Sequence, residues 1–71
     1  MSTEDLVRMA NDIGHFFAAE PRQADAVAGI ADHLRRFWDP RMRRRILAHV
    51  NAGGAGLDPL VRQAVAQLAP P

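Results

Sequence analysis

The chain has no cysteine and no lysine, and its single serine and single threonine both lie at the start. Without cysteine there can be no disulfide, no iron–sulfur ligation and no thiol catalysis, and cysteine usage leaves the redox compartment open. Without a hydroxyl in the body of the chain, its three histidines have no nucleophile to activate. No apolar run approaches the length of a membrane span. The opening residues Met1-Ser2-Thr3-Glu4-Asp5 are acidic, which argues against a secretory signal and leads us to expect a cytoplasmic protein. Length is also scarce. A chain of 71 residues hides only about 60% of its unfolded surface on folding. Its core rarely supplies more than ~3–5 kcal/mol without a staple. A substrate pocket of ~300–1,000 Å3 would hollow out most of that core, which argues against an enzyme. Good helix packing or a partner must supply the remaining stability.

What is present is apolar and helical. Apolar residues make up 48% of the chain and charged residues 24%, a globular composition. Pro21, Pro40, Pro59 and the Gly53-Gly54-Ala55-Gly56 cluster divide it into four pieces, each with helical periodicity. The expected fold is all-α, a single small domain over residues 1–71 with about four short helices and a frayed tail at 69–71. The first helix is expected from Thr3 to Ala19, capped by Ser2 or Thr3, with a stripe of Leu6, Met9, Ala10, Ile13, Phe16 and Phe17. Gly14 inside it implies a close neighbour or chance, because glycine costs up to ~1 kcal/mol there. The second is expected to start near Pro21 and end near Trp38, with Val27, Ile30, Ala31, Leu34 and Phe37 or Trp38 inward. Small Ala24, Ala28 and Gly29 would let a neighbour approach. Asp39-Pro40 and Asp58-Pro59 are start signals for the third and fourth. The stripes are Met42, Ile46, Leu47 and Val50, then Leu60, Val61, Ala64, Val65 and Leu68. Gly53 stops the third helix, and Ala52 to Gly56 is expected to be a flexible connector.

Most candidate chemistry fails on spacing. His15, His33 and His49 are too far apart in sequence to sit on one helical face around a metal, and no carboxylate completes a ligand pattern. The expectation is surface or boundary histidine. The glycine cluster follows no strand and lacks the Gly-Lys-Ser/Thr of a phosphate loop, so it reads as a helix stop.

Charge placement is the informative feature. Residues 1–34 hold two arginines against six acids, and residues 35–71 hold seven arginines against two acids, so the net +1 conceals a dipolar chain. Six of the nine arginines are Arg35, Arg36, Arg41, Arg43, Arg44 and Arg45. Arg35 and Arg36 suit the negative end of the second helix. Arg41, Arg43 and Arg44 crowd the positive start of the third, where each costs a few tenths of a kcal/mol. Carboxylates or phosphates on another molecule would explain them. Pairing with acids of the first helix, or plain solvation, would explain them as well. The adjacent pairs Phe16-Phe17 and Phe37-Trp38 point about 100° apart, so one small core cannot take both members of each. An exposed Trp38 beside arginines has the composition of a binding hot spot; alternatively, Trp38 folds over the corner as core. Nucleic acid is the rival partner, opposed by the near-zero net charge, the acidic first half and the absence of base-reading side chains.

At Leu34-Arg35-Arg36-Phe37-Trp38-Asp39-Pro40-Arg41-Met42-Arg43 the sequence resembles the delta subunit of cytoplasmic, NAD-dependent, molybdenum-containing formate dehydrogenases. Three blocks carry the likeness: LVRMANDIGHFFAAEP from Leu6, AVAGIADHLRRFWDPRMR from Ala26, and GLDPLVRQAV from Gly56. It spans Leu6 to Leu68, and the FWDPRMR stretch is the specific part. Near Arg36 the chain has only arginine where the family mixes lysine and arginine, and Asp12 stands where an uncharged amide is expected.

The resemblance implies a non-catalytic accessory subunit. It would support the assembly and stability of a complex that oxidises formate to CO2 and passes the electrons to NAD. Molybdopterin guanine dinucleotide, iron–sulfur clusters, FMN and NAD would sit in other subunits, with none bound by this chain. The implied partner is the large catalytic (alpha) subunit, and the candidate interface is Phe37, Trp38, Arg41, Arg43, Arg44 and Arg45. A dissociable chaperone for molybdenum cofactor insertion and a small nucleic-acid-binding helical protein are the alternatives. The isolated chain could self-associate through spare apolar surface.

Overall fold

Prolines and their preceding residues set the bounds of four helices. In the computed structural model, which describes residues 1–70, these are α1 (Thr3–Phe17), α2 (Gln23–Phe37), α3 (Pro40–Asn51) and α4 (Pro59–Ala66). No strand occurs among the described residues. Of the expected tail, Ala69 and Pro70 are exposed and non-helical, and Pro71 lies outside the described residues.

α1 opens with a reciprocal cap. The Asp5 amide donates to Ser2 Oγ (3.1 Å), and the Ser2 amide donates to Asp5 Oδ2 (3.2 Å). The Ser2 amide, then its hydroxyl, then Arg8 hold the Asp5 carboxyl below the usual carboxylate range. α1 stops at Phe17, two residues short of the expected Ala19. Pro21 has no N–H to give the Phe17 carbonyl, which instead accepts from Glu20 at 3.0 Å in a tight turn. Pro21 therefore belongs to the α1–α2 turn and is not the first residue of α2. Arg22, in extended backbone, is the N-cap of α2 and caps without its side chain.

Before Pro40 and Pro59 the chain is extended, as the pyrrolidine ring requires. Asp39 then caps α3 through Met42 N–H (2.9 Å). Asp58 holds the N-cap position of α4 but makes no side-chain cap. Its amide donates to Asn11 Oδ1 (3.0 Å), and its carboxylate meets His15 Nε2 at 3.2 Å, so both tie α4 to α1.

The glycine cluster is pinned, contrary to the expected flexible connector. After α3, Gly54 N–H reaches the His49 carbonyl (2.9 Å) and Gly53 N–H the Val50 carbonyl (3.0 Å). This is a Schellman stop, and it uses glycine in the left-handed region at both positions. His49 Nε2 donates to the Ala55 carbonyl (2.7 Å), and Asn11 Nδ2 donates to the Gly56 carbonyl (2.9 Å). Each of these bonds removes freedom that glycine would otherwise allow.

The core lies where α2 meets α4 and α1, the two helices it packs against most. Leu6, Ile30, Leu34, Ile46, Val61 and Val65 are the largest fully buried side chains. Among the described residues no polar side chain is buried, so this interior carries no desolvated charge. Two glycines permit the close approach. A Cβ on Gly14 would collide with Val61 Cγ2 of α4, and one on Gly29 would lie 2.5 Å from the Phe17 ring of α1. The expected apolar stripes point inward, except that Phe16 and Phe37 face outward.

Candidate interaction surface

The α2–α3 corner is built so that its arginines divide into two groups. Trp38 and Asp39 are extended, which ends α2 and starts α3 within two residues. Arg43, one turn into α3, reaches back and donates through Nη1 to the Trp38 carbonyl and the Arg35 carbonyl, the latter at 3.4 Å. Those carbonyls close the negative end of α2, so Arg43 serves as a C-terminal cap from the next helix. Arg35 donates to the Gln67 carbonyl beyond α4 (3.4 Å), and Arg36 pairs with Asp32 (3.5 Å). Arg45 donates to the Met1 carbonyl. Arg41 and Arg44 make no hydrogen bond or ion pair among the described residues.

The acids of α1 do not neutralise this cluster. Asp5 is occupied by Ser2 and Arg8 (3.1 Å). The cations at the start of α3 therefore stand at the positive end of a helix dipole, with Asp39 as the one acid of the cap. Arg41, Arg44 and Arg45 line an open groove whose other walls are Met1, Leu6, Asp39, Met42 and Ala48. An apolar floor under guanidinium groups can seat an apolar side chain while holding a carboxylate bidentately.

The six residues expected at an interface are thus split. Arg41, Arg44 and Arg45 converge on the groove. Arg43 turns inward. Phe37 is 68% exposed and lies outside the groove lining. Trp38 is only 5% exposed and belongs to the core, so it is not the outward anchor the hot-spot composition invited. The reason is backbone: α2 ends at Phe37, and the extended Trp38 carries its ring under the corner.

Sequence reasoning missed a run of rings. Phe16 and Phe17 stack edge to face (5.1 Å between centroids), Phe17 continues to His33 (6.4 Å), and His33 to Phe37 (4.7 Å). Arg36 lies 5.9 Å over the Phe37 ring. The signal was the spacing of His33 and Phe37, one turn apart on α2. Asn11, which holds the loop before α4, carried no signal at all.

Among the described residues, no group of three or more His, Asp or Glu could hold a metal ion, and no helix is long and apolar enough to cross a membrane. An iron–sulfur cluster would need thiolates that the sequence does not contain.

Fold and surface together define a small all-α protein that presents guanidinium groups and aromatic rings to its surroundings. Residues 5–65 match the family described as "NADH-dependant formate dehydrogenase delta subunit FdsD", and the chain belongs to that family. The family name carries association with other formate dehydrogenase subunits. No curated protein and no solved structure gives a significant match.

Proposed function

We propose that the chain is a non-catalytic accessory subunit that docks on the large catalytic (alpha) subunit of a molybdenum-containing, NAD-dependent formate dehydrogenase in the cytoplasm. It acts as one helical domain that supports assembly and stability of the complex oxidising formate to CO2. Molybdopterin guanine dinucleotide, iron–sulfur clusters, FMN and NAD belong to the other subunits. The contact residues are Phe37, Arg41, Arg44 and Arg45. Trp38 and Arg43 act from within by fixing the corner that presents them.

One observation carries this reading. Arg41 sits in the first turn of α3, where the helix dipole disfavours it, Arg44 stands one turn on among like charges, neither finds a partner among the described residues, and both share an open groove with Arg45. Acidic groups on the partner would turn that local cost into affinity and orientation. Arg41→Glu with Arg44→Glu should release the tagged subunit from a co-purified complex while leaving its own helix content intact. Unchanged co-purification would refute this interface. Stoichiometry reads the role: one copy is expected in active enzyme, whereas a dissociable chaperone would be absent from it.

A further inference from the structure

Two exposed phenylalanines terminate the ring series, and they are unusual in this molecule. Phe16 is 77% and Phe37 68% exposed, and Met1 is the one other large apolar side chain so exposed among the described residues. The series crosses two helices, with Phe16 and Phe17 from α1 and His33 and Phe37 from α2. It is held in register by Gly29, whose missing Cβ lets the Phe17 ring lie against α2. These are fixed rings on packed helices, so their exposure is built into the fold. The cation beside them, Arg36, already has Asp32 at 3.5 Å. The ridge therefore offers apolar and aromatic surface beside a guanidinium that is already paired.

We propose that the Phe16–Phe17–His33–Phe37 ridge is the apolar half of the docking surface, taking an apolar pocket of another formate dehydrogenase subunit whose rim carries carboxylates for Arg41 and Arg44. This rests on the reading of the chain as a docking subunit, and it adds Phe16, Phe17 and His33 to that surface.

Area and charge select the occupant. An aromatic side chain buries ~150–250 Å2, so Phe16 and Phe37, exposed at 77% and 68%, together offer roughly 200–360 Å2. A stable interface needs about 800 Å2 per partner. The ridge must be continued by adjoining surface. At its Phe37 end that surface is the arginine corner, because only Trp38, Asp39 and Pro40 separate Phe37 at the end of α2 from Arg41 in the first turn of α3. A second copy does not fit such a composite patch. A two-fold contact must satisfy the patch with itself, and the acids beside it, Asp32 and Asp39, are already engaged by Arg36 and by the Met42 amide, which leaves Arg41 and Arg44 without a free carboxylate. A different chain with carboxylates beside an apolar hollow meets both halves.

The test uses the tagged full-length chain co-expressed with the other formate dehydrogenase subunits. Phe16→Ala with Phe37→Ala should weaken retention roughly 30-fold or more, as loss of a hot-spot cluster does. Melting of the isolated variant should stay close to wild type, because both rings are mostly solvated already. The isolated wild-type chain should be monomeric by light scattering. Retention of the phenylalanine variant at wild-type affinity overturns the proposal. So does a wild-type dimer that the same substitutions render monomeric, since the occupant would then be a second copy. If the arginine variant is released and the phenylalanine variant is not, this proposal falls and the docking reading stands. If the wild-type chain is not retained by the other subunits, both fall.

Discussion

Gly14 shows how a single missing methyl group positions two helices. In isolation a mid-helix glycine is a defect worth about 1 kcal/mol against alanine. Here the Val61 side chain of α4 occupies the space a Cβ would need. Overpacking a close-fitted core costs ~1–3 kcal/mol, and both residues belong to fully buried surroundings. Gly14→Ala should therefore destabilise the chain by about 1–2 kcal/mol in spite of better helix propensity, read as a lower urea midpoint with unchanged slope. Gly29→Ala should cost less, because its obstacle is the half-buried Phe17 ring, which can swing outward. The sequence left Gly14 open between a close neighbour and chance and gave no sign that the neighbour is α4, since no local pattern encodes which helix arrives. Phe37-Trp38 is the same kind of case. Adjacency on a helix required one ring in and one ring out. Which is which depends on the residue at which α2 ends, and Pro40 fixes that only together with the extended backbone of Trp38 and Asp39.

At the scale of elements, starts marked by a capping side chain were more legible than the α1–α2 turn, where both the end of α1 and the expected start of α2 near Pro21 moved. Ser2, Asp39 and Asp58 each occupy the N-cap their sequence context marks, because a short acceptor before proline or an acidic first turn has few other uses. Ser2→Ala should cost α1 about 1 kcal/mol, within the usual 0.5–2 kcal/mol for a lost cap, measurable as a lower melting temperature. The Asp5 half of that cap depends on pH. Its carboxyl is held below the ordinary carboxylate value in the folded chain, first by the Ser2 amide. Its stabilisation is therefore complete above that ordinary value and lost as pH falls through the lower folded value. Asp5→Asn should be less stable than wild type at neutral pH, and the gap should close in acid, followed by circular dichroism across a pH series. Gly53 stopped α3 as expected, but the end of α1 and the glycine connector misled for a different reason. The extra residues of α1 were lost to the missing N–H of Pro21, and the glycine connector was tightened by Asn11 and His49, which act across 45 and six residues. Sequence composition reports the freedom of a glycine segment, whereas distant hydrogen bonds decide whether that freedom survives.

The whole molecule separates its charges along the chain without separating its core. Its acidic first half supplies α1 and most of α2, and its arginines gather at the last turn of α2 and the start of α3. Among the described residues the ion pairs are few and exposed, namely Arg8 with Asp5 and Arg36 with Asp32, with the His15 ring also in contact with Asp58. Exposed pairs contribute ~0–1 kcal/mol, so they cannot be the main use of so many charges. A concentrated positive corner on a small body instead steers encounter with an acidic surface, an effect that salt suppresses once charges lie beyond a Debye length of about 8–10 Å. Raising ionic strength from about 0.05 to about 0.5 M, which shortens the screening length from roughly 14 to roughly 4 Å, should then lower the association rate with the other subunits by about tenfold or more. It should move the melting temperature of the isolated chain by no more than a few degrees, because the intramolecular electrostatic terms are tenths of a kcal/mol and ~1 kcal/mol corresponds to about 4–8 °C for a domain of this size. Stopped-flow mixing measures the rate and calorimetry the melting. Arg41→Glu with Arg44→Glu should remove most of the salt dependence of the rate, while Phe16→Ala with Phe37→Ala should leave it in place and raise the dissociation rate instead, because buried contacts hold a complex that charge has only brought together.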